Sequence, residues 1–123
     1  MIETVRAWLV LRENADAEGA ARLSTSDIVV RTPLGAVSGI DSVKAQIYTS
    51  SSPVLISQTE LEANKASPGV WTVRRNYSVS KAGTNFTLRQ DWLVVQRLVA
   101  SEASPGKARR YESLIAEVTS TIA

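Results

Sequence analysis

The second half of the chain alternates apolar and polar residues, and this alternation restricts the possible folds more than any other feature. One stretch places apolar residues, with a single arginine among them, at every second position: Trp71, Val73, Arg75, Tyr77 and Val79. Successive side chains of a β-strand point to opposite faces of a sheet, so this stretch predicts a strand with one apolar face. Turn-forming residues lie before it, at 66–69, and after it, at 81–85, which predicts antiparallel neighbours.

The first half of the chain has a helical periodicity instead. Val5, Trp8 and Leu9 are spaced as on one face of a helix, and Asp16 is a suitable N-cap for a second, short helix. We expect the next elements to be a strand over 27–32, which Pro33 ends, a loop marked by Gly35 and Gly39, and a third helix that begins at Asp41 or Ser42.

The C-terminal region is expected to end in a helix. After strands over 86–96 and 98–103, Ser104-Pro105 resembles a helix start, with serine as N-cap and proline in the first turn. The apolar residues that would share one side of this helix are Tyr111, Leu114, Ile115, Val118 and Ile122. We therefore expect one α+β domain over residues 1–123, a cone in which a curved antiparallel sheet wraps around N-terminal helices, with an extra C-terminal helix.

The composition excludes several kinds of chemistry. The chain has no cysteine and no histidine, which excludes disulfides, thiolate zinc sites, cysteine nucleophiles and Ser-His-Asp triads. We expect no metal site and no cofactor. The net charge is only +2, and no apolar run approaches the length of a membrane span, so neither nucleic acid nor a membrane is an expected partner. Since the start of the chain lacks a signal-peptide pattern, the expected compartment is the cytoplasm.

Several segments resemble the NTF2-like superfamily, in particular its ketosteroid-isomerase-like and SnoaL-like branches. The residues that carry the resemblance are Trp8 to Asp16, Asp27 to Gly35, Gly39, Ile47-Tyr48 and Asp91. The resemblance covers nearly the whole chain in element order and implies a cystatin-like cone with an internal pocket. Because this fold hosts isomerases, hydratases, cyclases, hydrolases and non-catalytic modules, it implies no single activity.

The functional residues of the isomerase family match this chain only in part. That family places its general base, an aspartate, before the proline of a D-P-x-G motif, whereas this chain has Thr32-Pro33-Leu34-Gly35. A hydroxyl has too high a pKa to act as that base. The resemblance implies that Trp8 stands where the family has an oxyanion-hole tyrosine, that Asp91 matches a protonated carboxylic acid, and that Tyr48 matches a supporting tyrosine.

The direction of the Asp91 side chain decides whether it can serve a reaction. Alternation alone places Trp92 and Val94 on the inner face of the sheet and pairs Asp91 with Arg74 outside. The resemblance implies the opposite, with Asp91 in the pocket near Arg75 or Tyr77 and Trp92 outside. A shift of one residue exchanges the two faces, so the alternatives exclude each other. We expect the inward direction, because an outer apolar patch would then serve a homodimer.

Arg75 lies on the apolar face whichever way Asp91 points. A buried guanidinium needs an anion or several acceptors, so Arg75 serves either a structural ion pair or the binding of an anion or carbonyl. The residues expected around a bound ligand are Trp8, Thr32, Tyr48, Trp71, Arg75 and Tyr77.

Three functions fit these observations. The one we expect is a homodimeric domain that binds a small hydrophobic ligand without isomerase chemistry, because Thr32 replaces the base. The second is a SnoaL-like isomerase, hydratase or cyclase that uses Asp91 as acid or base, with Arg75 and Tyr77 stabilising an oxyanion. The third is an interaction module that dimerises through the outer face of the sheet.

Overall fold

The N-terminal helices form close to where the periodicity predicted them. The computed structural model describes residues 1–49, 54–100 and 109–122. Asp16 caps the second helix, since its Oδ1 accepts a hydrogen bond from the Gly19 N–H at 2.8 Å. The helices are α1 (Ile2–Glu13), α2 (Ala17–Arg22) and α3 (Ile40–Thr49). Among the described residues, no helix has both the length and the hydropathy needed to cross a membrane.

All seven strands belong to one mixed sheet, and the helices pack against one face of it. Its strands are β1 (Ser24–Thr32), β2 (Gly35–Ser38), β3 (Val54–Gln58), β4 (Glu62–Ser67), β5 (Val70–Lys81), β6 (Thr84–Ala100) and β7 (Arg109–Ile122). The strand order is β2-β1-β7-β6-β5-β3, and β4 also pairs with β5. Neighbouring strands are antiparallel except for β1 and β7, which run parallel. The predicted α+β class, with a curved sheet and N-terminal helices, is confirmed.

The core lies between the helices and the inner face of this sheet. Trp8 of α1 and Trp92 of β6 are 1% and 0% exposed and belong to one cluster of buried apolar residues. Val43 and Ile47 bring α3 into the same cluster. Burial of such side chains supplies the main driving force for folding, at about 25 cal/mol per Å² of apolar surface.

A tight turn fixes the register of the two longest strands. Ala82 and Gly83 form the two-residue connection of β5 and β6, and both have positive φ, 52° and 78°, as a type I′ turn requires. The resulting register pairs Arg74 with Asp91 and Arg75 with Gln90. The pair of Arg74 with Asp91 is the one that alternation alone predicted.

The expected inward direction of Asp91 is therefore wrong. Its Oδ1 accepts a hydrogen bond from the Arg74 Nε at 2.7 Å on the outer face, and Arg89 Nε lies 3.7 Å from its Oδ2. Trp92 and Val94 lie inside and are both 0% exposed. The apolar outer patch that favoured a homodimer is thus part of the core, and an outward Trp92 was the wrong expectation.

The predicted C-terminal helix is also wrong, because the described residues after 108 form β7. In this strand Val94 pairs with Ile115 but Leu93 pairs with Glu117, so Ala116 is the extra residue of a β-bulge. The bulge puts Ile115 and Val118 on the same inner face although they are three residues apart. A spacing of three residues on one face is typical of a helix, and this is why the sequence predicted one here. The proposed helix start at Ser104-Pro105 lies outside the described residues.

Two further elements differ from the sequence-based expectation. The segment Gly35–Ser38, expected as a loop, forms β2 and pairs with β1. The alternating segment after Pro53 is two strands on one edge of the sheet, because Thr59 interrupts the ladder. Its hydroxyl accepts a hydrogen bond from the Asn76 N–H at 3.0 Å, while the Thr59 N–H donates to the Asn76 carbonyl at 2.8 Å.

Candidate ligand-binding cavity

A cavity of about 430 Å³ opens between α1 and the inner face of the sheet. We call it the main cavity. Most of its lining is apolar, with Leu9, Val30 and Leu88 as examples from one helix and two strands. The volume and the mostly apolar lining lie within the range that is typical of small-molecule sites.

The mouth of the main cavity carries apolar side chains that water reaches. Leu34 is 94% exposed, Ile122 65%, Leu55 40% and Phe86 39%, and all four line the cavity. Isolated apolar residues are common on surfaces, but here all four line one cavity. An apolar molecule in the cavity would contact them as it leaves the interior.

Arg75 brings a charge into this apolar setting. Its side chain is nearly buried, at 7% exposure. Nε donates to the Gln90 Oε1 at 2.9 Å, and Nη1 donates to the Gln58 Oε1 at 2.6 Å. The guanidinium carbon lies 4.2 Å from the centre of the Tyr77 ring and 5.5 Å from that of Trp92, within the range of cation–π contacts. Two amide oxygens and two rings hold the guanidinium in place.

Arg12 of α1 supplies a second guanidinium to the same cavity. Burial lowers the pKa of both Arg12 and Arg75, and the neighbouring Tyr77 partly opposes that change. Two neighbouring charges also act on Arg75: the Glu13 carboxylate raises its pKa, and the Arg12 guanidinium lowers it. An arginine titrates so far above neutral pH that both side chains stay protonated there.

Trp8 and Thr32, which the resemblance placed in the isomerase site, do line the main cavity. The Thr32 hydroxyl donates to the Gly35 carbonyl at 3.2 Å and accepts from the Leu34 N–H at 3.2 Å. It therefore closes the β1–β2 turn. The Trp8 Nε1 is buried and has no hydrogen-bond partner among the described residues.

The other expected site residues are distributed differently. Tyr77 and Arg75 line the main cavity, whereas Trp71 and Asp91 do not. Trp71 lies on the inner face under the ammonium group of Lys65, which is 5.8 Å from its ring centre. Asp91 lies on the outer face. The side chain of Tyr48, near the end of α3, lies outside the described part of the structure.

Three residues that line the main cavity or bind Arg75 were not identified as site residues from the sequence. Gln90 occupies the inward position next to Asp91, and alternation alone did place it there. Arg12 continues the helical spacing of Trp8, which was a usable signal. Gln58 faces inward because β3 contains a bulge: Leu55 pairs with Val79, but Ser57 pairs with Ser78. Nothing in the sequence reveals that bulge.

A second cavity, of about 480 Å³, lies between α1 and the β3–β4 edge, and we call it the edge cavity. It shares Leu9, Glu13 and Arg75 with the main cavity. Arg75 therefore lies between the main cavity and the edge cavity. Within residues 1–49, 54–100 and 109–122, no cluster of acidic side chains could hold a metal ion.

Comparison with known proteins identifies the fold. No family model matches the sequence, and no curated protein matches it. Among solved structures, a ketosteroid isomerase-like protein from Erwinia carotovora atroseptica superposes with a TM-score of 0.67 at 18% identity, covering 98% of this chain and 91% of that one. An NTF2-like protein with a cystatin-like fold from Novosphingobium aromaticivorans gives 0.66 at 13% identity, covering 98% of this chain and 77% of that one.

A longer protein contains the same architecture. The orange carotenoid protein of Anabaena (Nostoc) sp., solved with canthaxanthin bound, superposes with a TM-score of 0.71 at 13% identity. The match covers 99% of this chain and 36% of that one. This chain therefore has the NTF2-like, ketosteroid isomerase-like fold. The superpositions establish the fold, but sequence identities this low say nothing about activity.

Proposed function

We propose that the chain binds a small, mostly apolar molecule in the main cavity and performs no ketosteroid-isomerase chemistry there. The observation that carries the proposal is the 430 Å³ cavity with its apolar lining and apolar mouth. A longer solved protein, of which 36% matches this fold, binds canthaxanthin, a largely apolar molecule, and this is consistent with a binding role for the architecture.

Two contacts support the second half of the proposal. The Thr32 hydroxyl, at the position of the family's base, is occupied by the turn that it closes. Asp91 pairs with Arg74 on the outer face instead of lining the cavity. Neither side chain is thus available to take a proton from a substrate in the main cavity.

Binding can be tested with the neutral fluorescent probe N-phenyl-1-naphthylamine, whose emission rises in apolar surroundings. We expect saturable binding by the wild-type chain. Leu55→Ser should weaken it several-fold, because the variant removes apolar surface from the mouth. Ile56→Ser is the matched control: Ile56 is the next residue and is 53% exposed, but it does not line the cavity. Equal effects of the two variants would contradict the proposal.

The absence of isomerase activity is tested separately. A β,γ-unsaturated ketosteroid is incubated with the protein, and the absorbance of the conjugated enone is followed. We expect no rate above the uncatalysed background. A measurable rate that Asp91→Asn abolishes would overturn this part of the proposal and restore the enzyme hypothesis.

A further inference from the structure

Arg75 is a buried cation that forms no ion pair with any residue in the described part of the chain. Its two side-chain acceptors, Gln58 and Gln90, are neutral amides. Among the described residues, no carboxylate oxygen lies within 4.0 Å of the Arg75 or the Arg12 guanidinium. A buried charge is costly unless an opposite charge compensates it. The arrangement is therefore incomplete as a structural ion pair.

The charges around the main cavity add to this imbalance. Among the described residues, its lining contains three cations, Arg12, Arg75 and Lys81, and one acidic side chain, Glu13; both Lys81 and Glu13 are exposed. Two of the three cations also lose hydration by burial, which lowers the pKa of Arg12 and Arg75. A cavity with low-dielectric walls and one sign of charge attracts a ligand of the opposite sign.

The guanidinium of Arg75 retains donors for such a ligand. Arginine has five N–H donors in a planar fork, and the described residues accept hydrogen bonds from two of its nitrogens, Nε and Nη1. The Tyr77 ring and the two glutamines fix the plane of the group. A fixed fork with free N–H groups matches the two oxygens of a carboxylate.

We propose that the ligand of the main cavity is an amphipathic carboxylate, whose head group binds Arg75 and Arg12 and whose apolar part extends to the mouth. This inference rests on the proposed function and specifies its ligand class. The gradient of exposure supports the orientation, from Arg75 at 7% to Phe86 at 39% and Ile122 at 65%.

The test compares three molecules with the same apolar chain: octanoate, octan-1-ol and octylamine. The ¹⁵N-labelled protein is titrated with each at neutral pH, and dissociation constants are obtained from chemical-shift changes. We expect octanoate to bind roughly 10-fold or more tightly than octan-1-ol, as hydrogen bonds between charged groups require. Octylamine, which is cationic, should bind most weakly.

Adjacent arginines provide the matched variants. Arg75→Gln should reduce the affinity for octanoate to that for octan-1-ol, whereas Arg74→Gln should leave both unchanged, because Arg74 lies on the outer face. Arg12→Gln, at a half-buried position, should lower the affinity for octanoate alone. This variant tests the inference if Arg75→Gln does not fold.

The outcomes separate this inference from the function on which it rests. If octan-1-ol binds and octanoate binds no more tightly, the carboxylate inference is overturned and the apolar binding site stands. If octylamine binds best, the inference is overturned in favour of a cationic ligand. If none of the three molecules binds and N-phenyl-1-naphthylamine also fails, the proposed function itself is wrong.

Discussion

Arg74 and Arg75 are consecutive residues of β5, yet their surroundings are opposite. Arg74 faces outward and binds the Asp91 carboxylate, while Arg75 faces inward and donates to the amide oxygens of Gln58 and Gln90. An exposed ion pair gains little, because water solvates the separated charges almost as well. A buried donor that loses its acceptor has no such substitute. The hydrogen bonds of Arg75 to the two glutamines therefore matter more for stability than the ion pair of Arg74 with Asp91, although the glutamines carry no charge.

Variants of two consecutive residues test this assignment. Gln90→Leu should lower the free energy of unfolding by about 1–3 kcal/mol, because the Arg75 Nε then loses its acceptor inside the protein. Asp91→Asn should change stability much less, since its partner is exposed. Urea denaturation measures both. A larger loss for Asp91→Asn than for Gln90→Leu would contradict the register of β5 and β6.

For individual residues, the sequence predicted which side chains line the cavity better than it predicted which residues they contact. Trp8, Thr32, Arg75 and Tyr77 were expected around a ligand and do line the main cavity. The prediction for Asp91 was wrong because the resemblance and the alternation of β6 imply opposite faces, and the alternation is the one that the register follows. A one-residue error in register exchanges the two faces of a strand, so it affects every residue at once.

Bulges explain why elements were harder to predict than individual residues. In β7 the extra residue Ala116 lets Ile115 and Val118 share the inner face at a spacing typical of a helix. In β3 a similar irregularity turns Gln58 inward. Simple alternation fails wherever one residue is inserted into a strand. The regular strand β5, which has no such shift in its pairing with β6, was predicted correctly.

The turn between β5 and β6 carries strain that a glycine would relieve. Ala82 has a φ of 52°, a conformation that a Cβ atom disfavours. Ala82→Gly should therefore raise the free energy of unfolding by about 0.5–1 kcal/mol, seen as a higher melting temperature in calorimetry. Ala36→Gly in β2 is the control and should be destabilising, because Ala36 is not among the residues with positive φ. Destabilisation by Ala82→Gly would argue against this turn conformation.

The assignment of β7 as a strand can be tested by cross-linking, because the chain has no cysteine of its own. Arg89 and Thr121 are register partners in β6 and β7, so Arg89→Cys combined with Thr121→Cys should form a disulfide under mild oxidation. Arg89→Cys with Thr119→Cys should not, since diagonal neighbours are about 7 Å apart. Mass spectrometry of the non-reduced protein distinguishes them. Equal oxidation of both pairs would contradict the strand pairing.

The whole molecule combines a closed core with an open cavity on the same face of the sheet. Trp92, Val94 and Ile115 are fully buried, whereas Leu88 and Ile122 line the cavity on the same two strands. The predicted architecture of helices first and a curved sheet afterwards was sufficient to expect such a cavity. Its charge was not predictable in full, because that depends on Arg12 and Arg75 lining one cavity from elements distant in sequence. The single domain over 1–123 and the cytoplasmic location stay predictions.

An open cavity costs stability that a larger side chain can recover, at the expense of binding. Leu88→Trp places additional apolar surface in the main cavity, which Leu88 lines. The variant should raise the free energy of unfolding by about 1 kcal/mol and weaken binding of N-phenyl-1-naphthylamine roughly 10-fold or more, because the ligand and the indole compete for the same volume. Leu93→Trp is the matched control on the outer face, opposite Thr72, and it should leave binding unchanged. Calorimetry and fluorescence titration on the same samples measure both quantities. If Leu88→Trp stabilises the protein but binding persists, the probe occupies another site, and the edge cavity becomes the place to look for it.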